Sequence, residues 1–300
     1  MVGSGYINGK TKLLGLIATP ISHSLSPAMH NMACQELGLN YAYLAFDAGN
    51  QELDEIVKGF KAMDVRGFNV SMPNKTKILP LLDELAPAAK FAGAVNTVVN
   101  ENGRLIGHLT DGTGYMRALK EAGVSIKGKK MTIFGAGGAA TAIAIQAAMD
   151  GASEISIFNH KDEFFSRAER NAEIINDSLQ HLSCLANVYD LGDEKRLKHE
   201  IMNSDLITNA TGAGMKPMEQ ESIVKDTSWL RPEMTVSDIV YNPLKTKMLT
   251  MAEGAGCKTV NGLGMMLWQG AEAFEIWTGE KMPVALIRNR IFNQEGSMKA

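Results

Sequence analysis

The sequence predicts an α/β protein with two domains, and three observations support this fold class. Segments with the pattern of strands alternate with amphipathic segments along almost the whole chain, which favours helices layered on sheets. A glycine-rich turn at Gly135 follows an apolar run and precedes a helix-forming segment. The chain has 300 residues, a length that corresponds to about two domains of roughly 150 residues each.

The first part of the chain alternates strand and helix from its beginning. Leu13 to Ala18 is an apolar run that predicts a strand. Ser26-Pro27 then predicts a helix, with Ser26 as N-cap and Pro27 at the first helical position, and Gly38 ends it. The same reasoning predicts strands at Tyr41 to Asp47, Val65 to Ser71, Ala94 to Asn100 and Arg104 to His108, a helix around Leu53 to Phe60, and a helical stretch after Pro73. Asn102-Gly103 is typical of a hairpin turn between the last two strands.

A second α/β unit begins near Lys129. Its strands are predicted at Met131 to Phe134, Glu154 to Phe158, Leu206 to Asn209 and Thr235 to Val240. The helices between them favour a parallel sheet with right-handed crossovers. Met265 to Phe292 is helical in pattern, and we expect it to pack on the first domain. The expected domains are therefore residues 1–112, completed by helices within 265–300, and residues 113–264.

Composition and charge disfavour several classes of function. The formal net charge is −3, so nucleic acid is a poor candidate partner. No apolar run approaches the roughly 18 residues that cross a membrane, and the first residues do not resemble a secretory signal. Cys34, Cys184 and Cys257 are widely spaced, as is typical of free thiols in a reducing compartment. We expect a cytoplasmic protein with a small-molecule substrate and no metal site; the sequence leaves oligomeric state open, a homodimer included.

The turn Gly135-Ala136-Gly137-Gly138-Ala139-Ala140 fits the G-x-G-x-x-A fingerprint of dinucleotide-binding domains. The first glycine allows a tight turn, the second lets the backbone approach the pyrophosphate, and the third small residue lets helix and strand pack closely. The N–H groups at the start of the helix then bind the phosphates. A Rossmann-type domain for NAD or NADP is therefore predicted, with a purely structural glycine turn as the alternative.

The choice between NAD and NADP is normally made at the end of the next strand, about 20 residues further on. Here that strand ends in Asn159-His160-Lys161-Asp162. A carboxylate at this place accepts hydrogen bonds from the ribose hydroxyls, whereas a 2′-phosphate favours an arginine. Asp162, with no arginine in the stretch, favours NAD without excluding NADP. An ordinary exposed loop is the alternative.

Several polar segments are not explained by folding alone, and they resemble the shikimate dehydrogenase family. They are Ser22-His23-Ser24-Leu25-Ser26-Pro27, Asn69-Val70-Ser71-Met72-Pro73-Asn74-Lys75, Gly93-Ala94-Val95-Asn96-Thr97, Thr110-Asp111-Gly112, Asn261-Gly262-Leu263-Gly264-Met265 and Gln269-Gly270-Ala271. Family members carry similar segments in the same order. The resemblance implies an N-terminal substrate domain, a C-terminal Rossmann-type domain, and an active site in the cleft between them.

The resemblance also implies a role for each matching residue. Lys75 resembles the catalytic lysine and Asp111 its acidic partner. Ser24 and Ser26 resemble the pair that binds the substrate carboxylate. Asn96 and Gln269 resemble the groups that hold the ring hydroxyls. Tyr241 matches a further substrate-side position. The expected cofactor contacts are Gly135, Ala136, Gly137, Gly138, Ala139, Asn159, His160, Lys161, Asp162, Ile239 and Gly262.

The implied reaction is the reversible, NAD(P)-dependent reduction of 3-dehydroshikimate to shikimate in aromatic amino acid biosynthesis. Reduction of a ring ketone leaves negative charge on its oxygen, which a lysine ammonium can stabilise and protonate while a carboxylate orients it. Ser71, where many relatives have Thr, and Trp268-Gln269-Gly270 resemble the branch that also uses quinate. The smaller Ser71 could make room for the additional hydroxyl of quinate. His160 replaces an arginine that is common at that cofactor position.

Simpler interpretations stand beside these roles. Ser26 could be only an N-cap, Asp111 only the N-cap of a helix through Tyr115 to Leu119, and Lys75 a solvated lysine of a first helical turn. The whole chain could instead be a dehydrogenase of another cyclic hydroxy acid. It could also be a non-catalytic sensor that binds a dinucleotide, although such a sensor has no need for Lys75, Asp111 and the paired serines together.

Overall fold

The computed structural model describes residues 7–22 and 24–291. His23 of the first polar segment and Phe292 at the end of the predicted helical tail lie outside the described residues. In chain order the elements are β1 (Lys12–Ala18), α1 (Ser26–Glu36), β2 (Tyr41–Asp47), α2 (Leu53–Ala62), β3 (Gly67–Val70), β4 (Glu84–Leu85), α3 (Pro87–Ala92), β5 (Thr97–Glu101), β6 (Arg104–His108), α4 (Thr110–Glu121), β7 (Lys130–Phe134), α5 (Gly138–Met149), β8 (Glu154–Asn159), α6 (Phe165–Glu173), β9 (Leu185–Asp190), α7 (Glu194–Met202), β10 (Leu206–Asn209), β11 (Thr235–Asp238), α8 (Lys247–Gly254), β12 (Lys258–Val260), α9 (Gly262–Thr278) and α10 (Val284–Ile291).

The chain divides into two compact units, and the predicted α/β class is confirmed in both. The first unit contains the residues up to Thr110 together with those from Gln269 onward, and the second contains Asp111 to Trp268. Each unit has its own six-stranded sheet. Helix α9 contributes its first residues to the second unit and the remainder to the first.

The sheet of the first unit is mixed, with the strand order β2-β1-β3-β5-β6-β4. Strand β1 pairs in parallel with both β2 and β3, while β5 is antiparallel to β3 and to β6. The predicted hairpin between β5 and β6 is confirmed, with Asn102 at φ 55° and Gly103 at φ 86°. Both values belong to the left-handed region that two-residue hairpin turns require.

The C-terminal part of α9 covers one face of this mixed sheet through Trp277. The indole is buried and its Nε1 donates to the Val98 carbonyl at 2.8 Å. Gly67 of β3 has no room for a side chain, because a Cβ there would overlap the Trp277 ring. The Trp277 carbonyl in turn accepts from Arg66 Nε at 2.8 Å.

The sheet of the second unit is entirely parallel, with the order β12-β11-β10-β7-β8-β9. This order runs from β7 outward to β8 and β9 on one side and to β10, β11 and β12 on the other, which is the order of Rossmann-type domains. Helix α5 packs on the sheet through small residues, since its alanines from Ala140 to Ala148 are buried. The predicted parallel, Rossmann-type sheet is confirmed.

Parts of the predicted secondary structure were wrong. The stretch after Pro73 consists of turns up to Ile78 and a short 3-10 turn at Leu79–Leu81, and only Pro87–Ala92 is an α-helix. Pro80 and Pro87 prevent a longer helix, because proline lacks the N–H that a helix interior needs. Strands β4, β9 and β12 were not predicted: β4 and β12 are very short edge strands, and β9 is a mixed polar and apolar edge strand.

Candidate active site

Two predicted polar segments of the first unit leave the sheet at the same edge. Strands β1 and β3 are parallel neighbours, with Ile17 paired to Val70. The Ser71 amide donates to the Ile17 carbonyl at 3.0 Å, and the Thr19 amide donates to the Met72 carbonyl at 3.2 Å. The segment that leads to Ser24 and Ser26 and the segment from Ser71 to Lys75 therefore begin side by side.

The backbone around Lys75 is fixed by hydrogen bonds rather than by a helix. The Lys75 carbonyl accepts from the Val95 amide at 2.9 Å, and the Asn74 amide donates to the Ser71 carbonyl at 2.8 Å. The buried Asn74 side chain donates from Nδ2 to the Ala48 carbonyl at 2.9 Å. The interpretation of Lys75 as a residue of a first helical turn was wrong. The half-buried Lys75 side chain extends from a segment that is irregular but is held in place by these backbone hydrogen bonds.

Asn96 is buried next to that segment and is held on both its backbone and its side chain. Its carbonyl accepts from the Val70 amide at 2.8 Å, and its Oδ1 accepts from the Thr110 amide at 2.8 Å. Its Nδ2 donates to Thr110 Oγ1 at 3.0 Å. An amide N–H can only donate, so the bond from Thr110 fixes which end of the Asn96 amide is the oxygen.

The predicted N-cap roles of Ser26 and Asp111 were wrong. Helix α1 begins at Ser26, Leu25 is its N-cap, and Ser24 Oγ accepts from the Ser26 amide at 3.3 Å. Helix α4 begins at Thr110, so Asp111 lies within the first turn. Serine and aspartate are frequent N-caps, but Ser26 and Asp111 both lie inside their helices and not at the cap position. A capping role therefore does not explain the presence of Ser26 or Asp111.

Gln269 is half-buried on the part of α9 that belongs to the first unit. The next residue, Gly270, is buried, and a Cβ there would overlap the end of the Met29 side chain on α1. The helix that carries Ser26 and the helix that carries Gln269 therefore approach each other closely at Gly270.

A buried polar network that the sequence interpretation missed lies in the same unit. Tyr43 Oη donates to Asn69 Oδ1 at 2.7 Å, and Asn69 Nδ2 donates to the Asn96 carbonyl at 3.1 Å and to Thr97 Oγ1 at 3.0 Å. Burial keeps the Tyr43 pKa well above its usual value. Asn69 gave a signal in the sequence, since a polar residue within an apolar strand requires a buried partner.

In the second unit, the fingerprint residues form the turn from β7 into α5, as predicted. Gly135 has φ 108°, and a Cβ there would lie 2.7 Å from the Ala210 carbonyl oxygen. Gly137 is the N-cap of α5, and a Cβ at Gly137 or Gly138 would meet no described atom within 4 Å. Ala136 and Ala140 are buried. The turn thus presents bare backbone at a helix N-terminus, a geometry suited to a pyrophosphate.

The strand next to β7 ends in the loop that was expected to select the cofactor. Phe134 of β7 pairs with Phe158 of β8, so the two strands end together. Asp162 Oδ1 accepts from Asn159 Nδ2 at 3.0 Å and from the Phe164 amide at 2.8 Å. Both of these bonds use one carboxylate oxygen, so Oδ2 keeps its capacity to accept. His160, Lys161 and Asp162 are exposed.

The remaining predicted cofactor positions meet at the end of β11. A Cβ at Gly262 would overlap the Ile239 carbonyl, and the Gly262 amide donates to the Val240 carbonyl at 3.1 Å. Tyr241 follows in an exposed loop of the second unit, with 48% of its surface accessible. The buried Asp238, also missed from the sequence, accepts from Asn209 Nδ2 at 3.0 Å and from Thr246 Oγ1 at 2.7 Å.

Burial raises the pKa of Asp238, while its hydrogen bonds from Val240, Thr246 and Asn209 oppose that shift. These bonds tie the ends of β10 and β11 to the start of α8. Asp238 thereby holds in place the backbone that continues into Ile239.

Together the two units offer complementary chemistry. The first provides hydroxyl, amide and ammonium groups suited to a small polyhydroxylated acid, and the second provides an open glycine turn at a helix start. Among residues 7–22 and 24–291, no His, Cys, Asp and Glu side chains group as a metal site would require. No described helix is long and apolar enough to span a membrane.

Comparisons with known proteins relate both ends of the chain to one family. Residues 16–98 match the shikimate dehydrogenase substrate binding domain, and residues 262–292 match the shikimate 5′-dehydrogenase C-terminal domain. A shikimate dehydrogenase (NADP(+)) from Listeria monocytogenes serotype 4b (strain F2365) is 61% identical over 286 residues, which span 95% of this chain and 97% of the relative.

Two solved structures extend the comparison. A crystal structure of shikimate 5-dehydrogenase from Listeria monocytogenes in complex with shikimate and NAD has a TM-score of 0.93 at 61% identity, covering 95% of this chain and 98% of that one. Quinate dehydrogenase from Corynebacterium glutamicum in complex with NAD has a TM-score of 0.83 at 31% identity, covering 93% and 98%. This chain belongs to the shikimate dehydrogenase family.

Proposed function

We propose that this protein catalyses the reversible, NAD(P)-dependent reduction of 3-dehydroshikimate to shikimate. One observation carries the proposal: the backbone segments that contain Ser71, Lys75 and Asn96 are hydrogen-bonded to one another at one edge of the sheet. These residues lie in a chain that is 61% identical to a shikimate dehydrogenase. The first unit is the proposed substrate domain, and the second is the proposed cofactor domain.

The substrate is proposed to bind through small polar side chains. Ser24 and Ser26 would bind the carboxylate, and Asn96 and Gln269 the ring hydroxyls, with Ser71 and Tyr241 as further contacts. Hydroxyl and amide groups donate and accept hydrogen bonds without adding charge, so they suit a substrate that has a single carboxylate and several hydroxyls. A site that hydrogen-bonds substrate hydroxyls also rejects analogues that lack them.

Lys75 is the proposed acid and base of the reaction, and Asp111 its acidic partner. In the reductive direction the ammonium stabilises the charge that develops on the ring oxygen and then donates a proton to it. In the oxidative direction the neutral amine accepts that proton from the alcohol. The anchored backbone of residues 74–75 supports this role, because general acid–base catalysis depends on a well-placed group.

The cofactor is proposed to bind on the second unit. Gly135, Ala136, Gly137, Gly138 and Ala139 would hold the pyrophosphate, and Asn159, His160, Lys161 and Asp162 would contact the adenosine ribose. Ile239 and Gly262 would complete this site. Bound nicotinamide supplies or takes up the hydride. We propose NAD as the preferred form, because the second oxygen of Asp162 can accept from a ribose hydroxyl and would repel a 2′-phosphate.

Quinate is proposed as a second substrate on the evidence of Ser71. The serine takes less space than the threonine common in relatives, and the 31%-identical relative is a quinate dehydrogenase. Quinate carries an additional tertiary hydroxyl, so even a small gain in room would favour it. We expect shikimate to remain the better substrate.

The test is absorbance at 340 nm, with shikimate or quinate offered with NAD or NADP in four separate reactions. We expect turnover of shikimate with NAD, slower turnover with NADP, and weaker turnover of quinate. Dinucleotide binding without turnover of either acid would contradict the proposal. That result would favour a sensor or a dehydrogenase of another cyclic hydroxy acid.

A further inference from the structure

Thr97 is a buried residue next to Asn96, and its hydroxyl connects Asn96 to the strand that precedes Ser71. Thr97 has no accessible surface, whereas Asn96 retains 3%. Thr97 lies on β5 directly opposite Asn69 of β3. Its hydroxyl accepts from Asn69 Nδ2 at 3.0 Å and donates to Asn96 Oδ1 at 3.1 Å. Thr97 therefore acts on a ligand only through its neighbours.

The direction of these two hydrogen bonds follows from the Asn69 amide. The Asn96 carbonyl only accepts, so the Asn69 group that faces it at 3.1 Å is Nδ2. The same Nδ2 also points to Thr97 Oγ1, which must therefore accept in that contact. The single proton of the Thr97 hydroxyl is then donated onward, and Asn96 Oδ1 at 3.1 Å is a nearer acceptor than Thr110 Oγ1 at 3.3 Å.

The side-chain oxygen of Asn96 is thereby occupied by donors from the protein. The Thr110 amide donates to Asn96 Oδ1 at 2.8 Å and the Thr97 hydroxyl at 3.1 Å, which uses both lone pairs of the oxygen. The Thr110 hydroxyl lies 3.2 Å from the same oxygen and accepts from Asn96 Nδ2 at 3.0 Å. The Asn96 amide is therefore held in one orientation, and Nδ2, which carries two hydrogens, is the end that it offers to a ligand.

Resting on the proposed function, we infer that Thr97 is a positioning residue that sets Asn96 as a hydrogen-bond donor to a ring hydroxyl of the substrate. The Thr97 hydroxyl restrains the Asn96 amide before the substrate arrives, so less entropy is lost on binding. It also donates to Asn96 Oδ1, which polarises the amide and strengthens the hydrogen bond that Nδ2 donates. The substrate hydroxyl at this position therefore accepts from Asn96.

The test is T97V, because valine keeps the shape of threonine and removes its hydroxyl. We expect the KM for shikimate to rise about threefold to tenfold, the loss of roughly one hydrogen bond. The kcat and the KM for dinucleotide should change less than twofold, because a bond to a hydroxyl that does not react stabilises the ground state and the transition state equally. T97S keeps the hydroxyl and should restore the KM for shikimate to within twofold of normal.

A double-mutant cycle with N96A separates positioning from a general effect on the fold. N96A alone should raise the KM for shikimate, because it removes the donor that Thr97 is inferred to position. In the N96A background, T97V should have almost no further effect on that KM. If T97V does not fold, T97A replaces it in the cycle, since the smaller side chain leaves room for a water molecule to bond to Asn69.

The matched control is T132V in the second unit. Thr132 is also a strand residue without accessible surface, and its hydroxyl bonds to Ser204 Oγ at 2.7 Å. T132V should lower the unfolding midpoint in urea as T97V does, since each change leaves a buried partner with one hydrogen bond fewer. It should leave the KM for shikimate unchanged.

Additive effects of T97V and N96A on the KM for shikimate, or a normal KM in either single variant, would overturn the inference. A T97S protein with the same raised KM as T97V would also overturn it, because the hydroxyl would then not be the cause. The unchanged protein separates this failure from that of the proposed function: if it does not turn over shikimate, the proposed function falls and this inference falls with it.

Discussion

The glycine turn of the second unit presents backbone to its proposed ligand, whereas the proposed substrate residues of the first unit present side chains. Gly137 and Gly138 are proposed to act by having no side chain, so this role can be predicted from the spacing of the residues alone. Asn96 depends on buried partners that come from other segments, such as Asn69 and Thr110. A backbone site can therefore be predicted locally, while a side-chain site needs the fold.

The largest expected effect concerns Lys75 in the first unit. K75A should lower kcat by about 100- to 10,000-fold, the usual contribution of a well-placed acid or base. Shikimate and dinucleotide should still bind, as measured by titration calorimetry. The matched control is K77A, an exposed lysine of the same turn segment that should keep full activity. A K75A protein with more than a tenth of normal kcat would contradict the proposed role.

The next effect is on stability at acid pH and arises from His30. Burial among aromatic rings lowers its pKa from 6.5 to about 3. The folded pKa is below the unfolded value, so the neutral ring stabilises the fold fully above pH 6.5. This stability is lost as pH falls from 6.5 toward 3, by up to about 1.4 kcal/mol per pH unit.

H30F keeps an aromatic ring in the stack and removes this titration. The difference in urea unfolding midpoint between H30F and the unchanged protein should therefore move in favour of H30F as the pH is lowered from 7 to 5. A difference that stays constant over this range would show that His30 does not protonate on unfolding.

A smaller effect is expected at the glycine turn. G137A should weaken dinucleotide binding by roughly tenfold or more, because the new methyl group occupies the place where the pyrophosphate approaches the backbone. The unfolding midpoint should not fall, since the Cβ meets no described atom and Gly137 has an ordinary φ of −70°. G254A in α8 adds a methyl group to equally open space and should leave dinucleotide affinity unchanged.

The smallest effect concerns the choice of cofactor. D162A should reduce the preference for NAD over NADP by about tenfold, through weaker binding of NAD and relief of repulsion toward the 2′-phosphate. The ratio of kcat/KM for the two dinucleotides measures it. D193A changes the N-cap of α7, an acidic residue outside the proposed site, and should leave that ratio unaltered.

The sequence predicted most of the fold because its signals were local. Strands Tyr41–Asp47, Arg104–His108 and Leu206–Asn209 have the predicted bounds, and the Asn102-Gly103 hairpin and the glycine turn follow from residues next to one another. Strand β9 was missed because its mixed pattern resembles a loop, and it becomes a strand through its pairing with β8.

The supporting residues of the candidate site could not be predicted in the same way. Tyr43 has the sequence pattern of an ordinary apolar strand residue. Its hydroxyl finds a partner in Asn69 only because β2 and β3 both lie next to β1. Asn74 lies beside the proposed catalytic lysine, yet its partner is the carbonyl of Ala48, in another part of the chain. Contacts of this kind depend on strand order, which no local pattern specifies.

The most direct test of this division is to measure the binding of each ligand alone to S26A and G137A by titration calorimetry. We predict a crossed pattern, in which S26A loses affinity for shikimate and keeps its affinity for dinucleotide, while G137A does the reverse. If each variant lost affinity for both ligands, or if S26A bound shikimate as well as the unchanged protein, the assignment of substrate to the first unit and cofactor to the second would be contradicted.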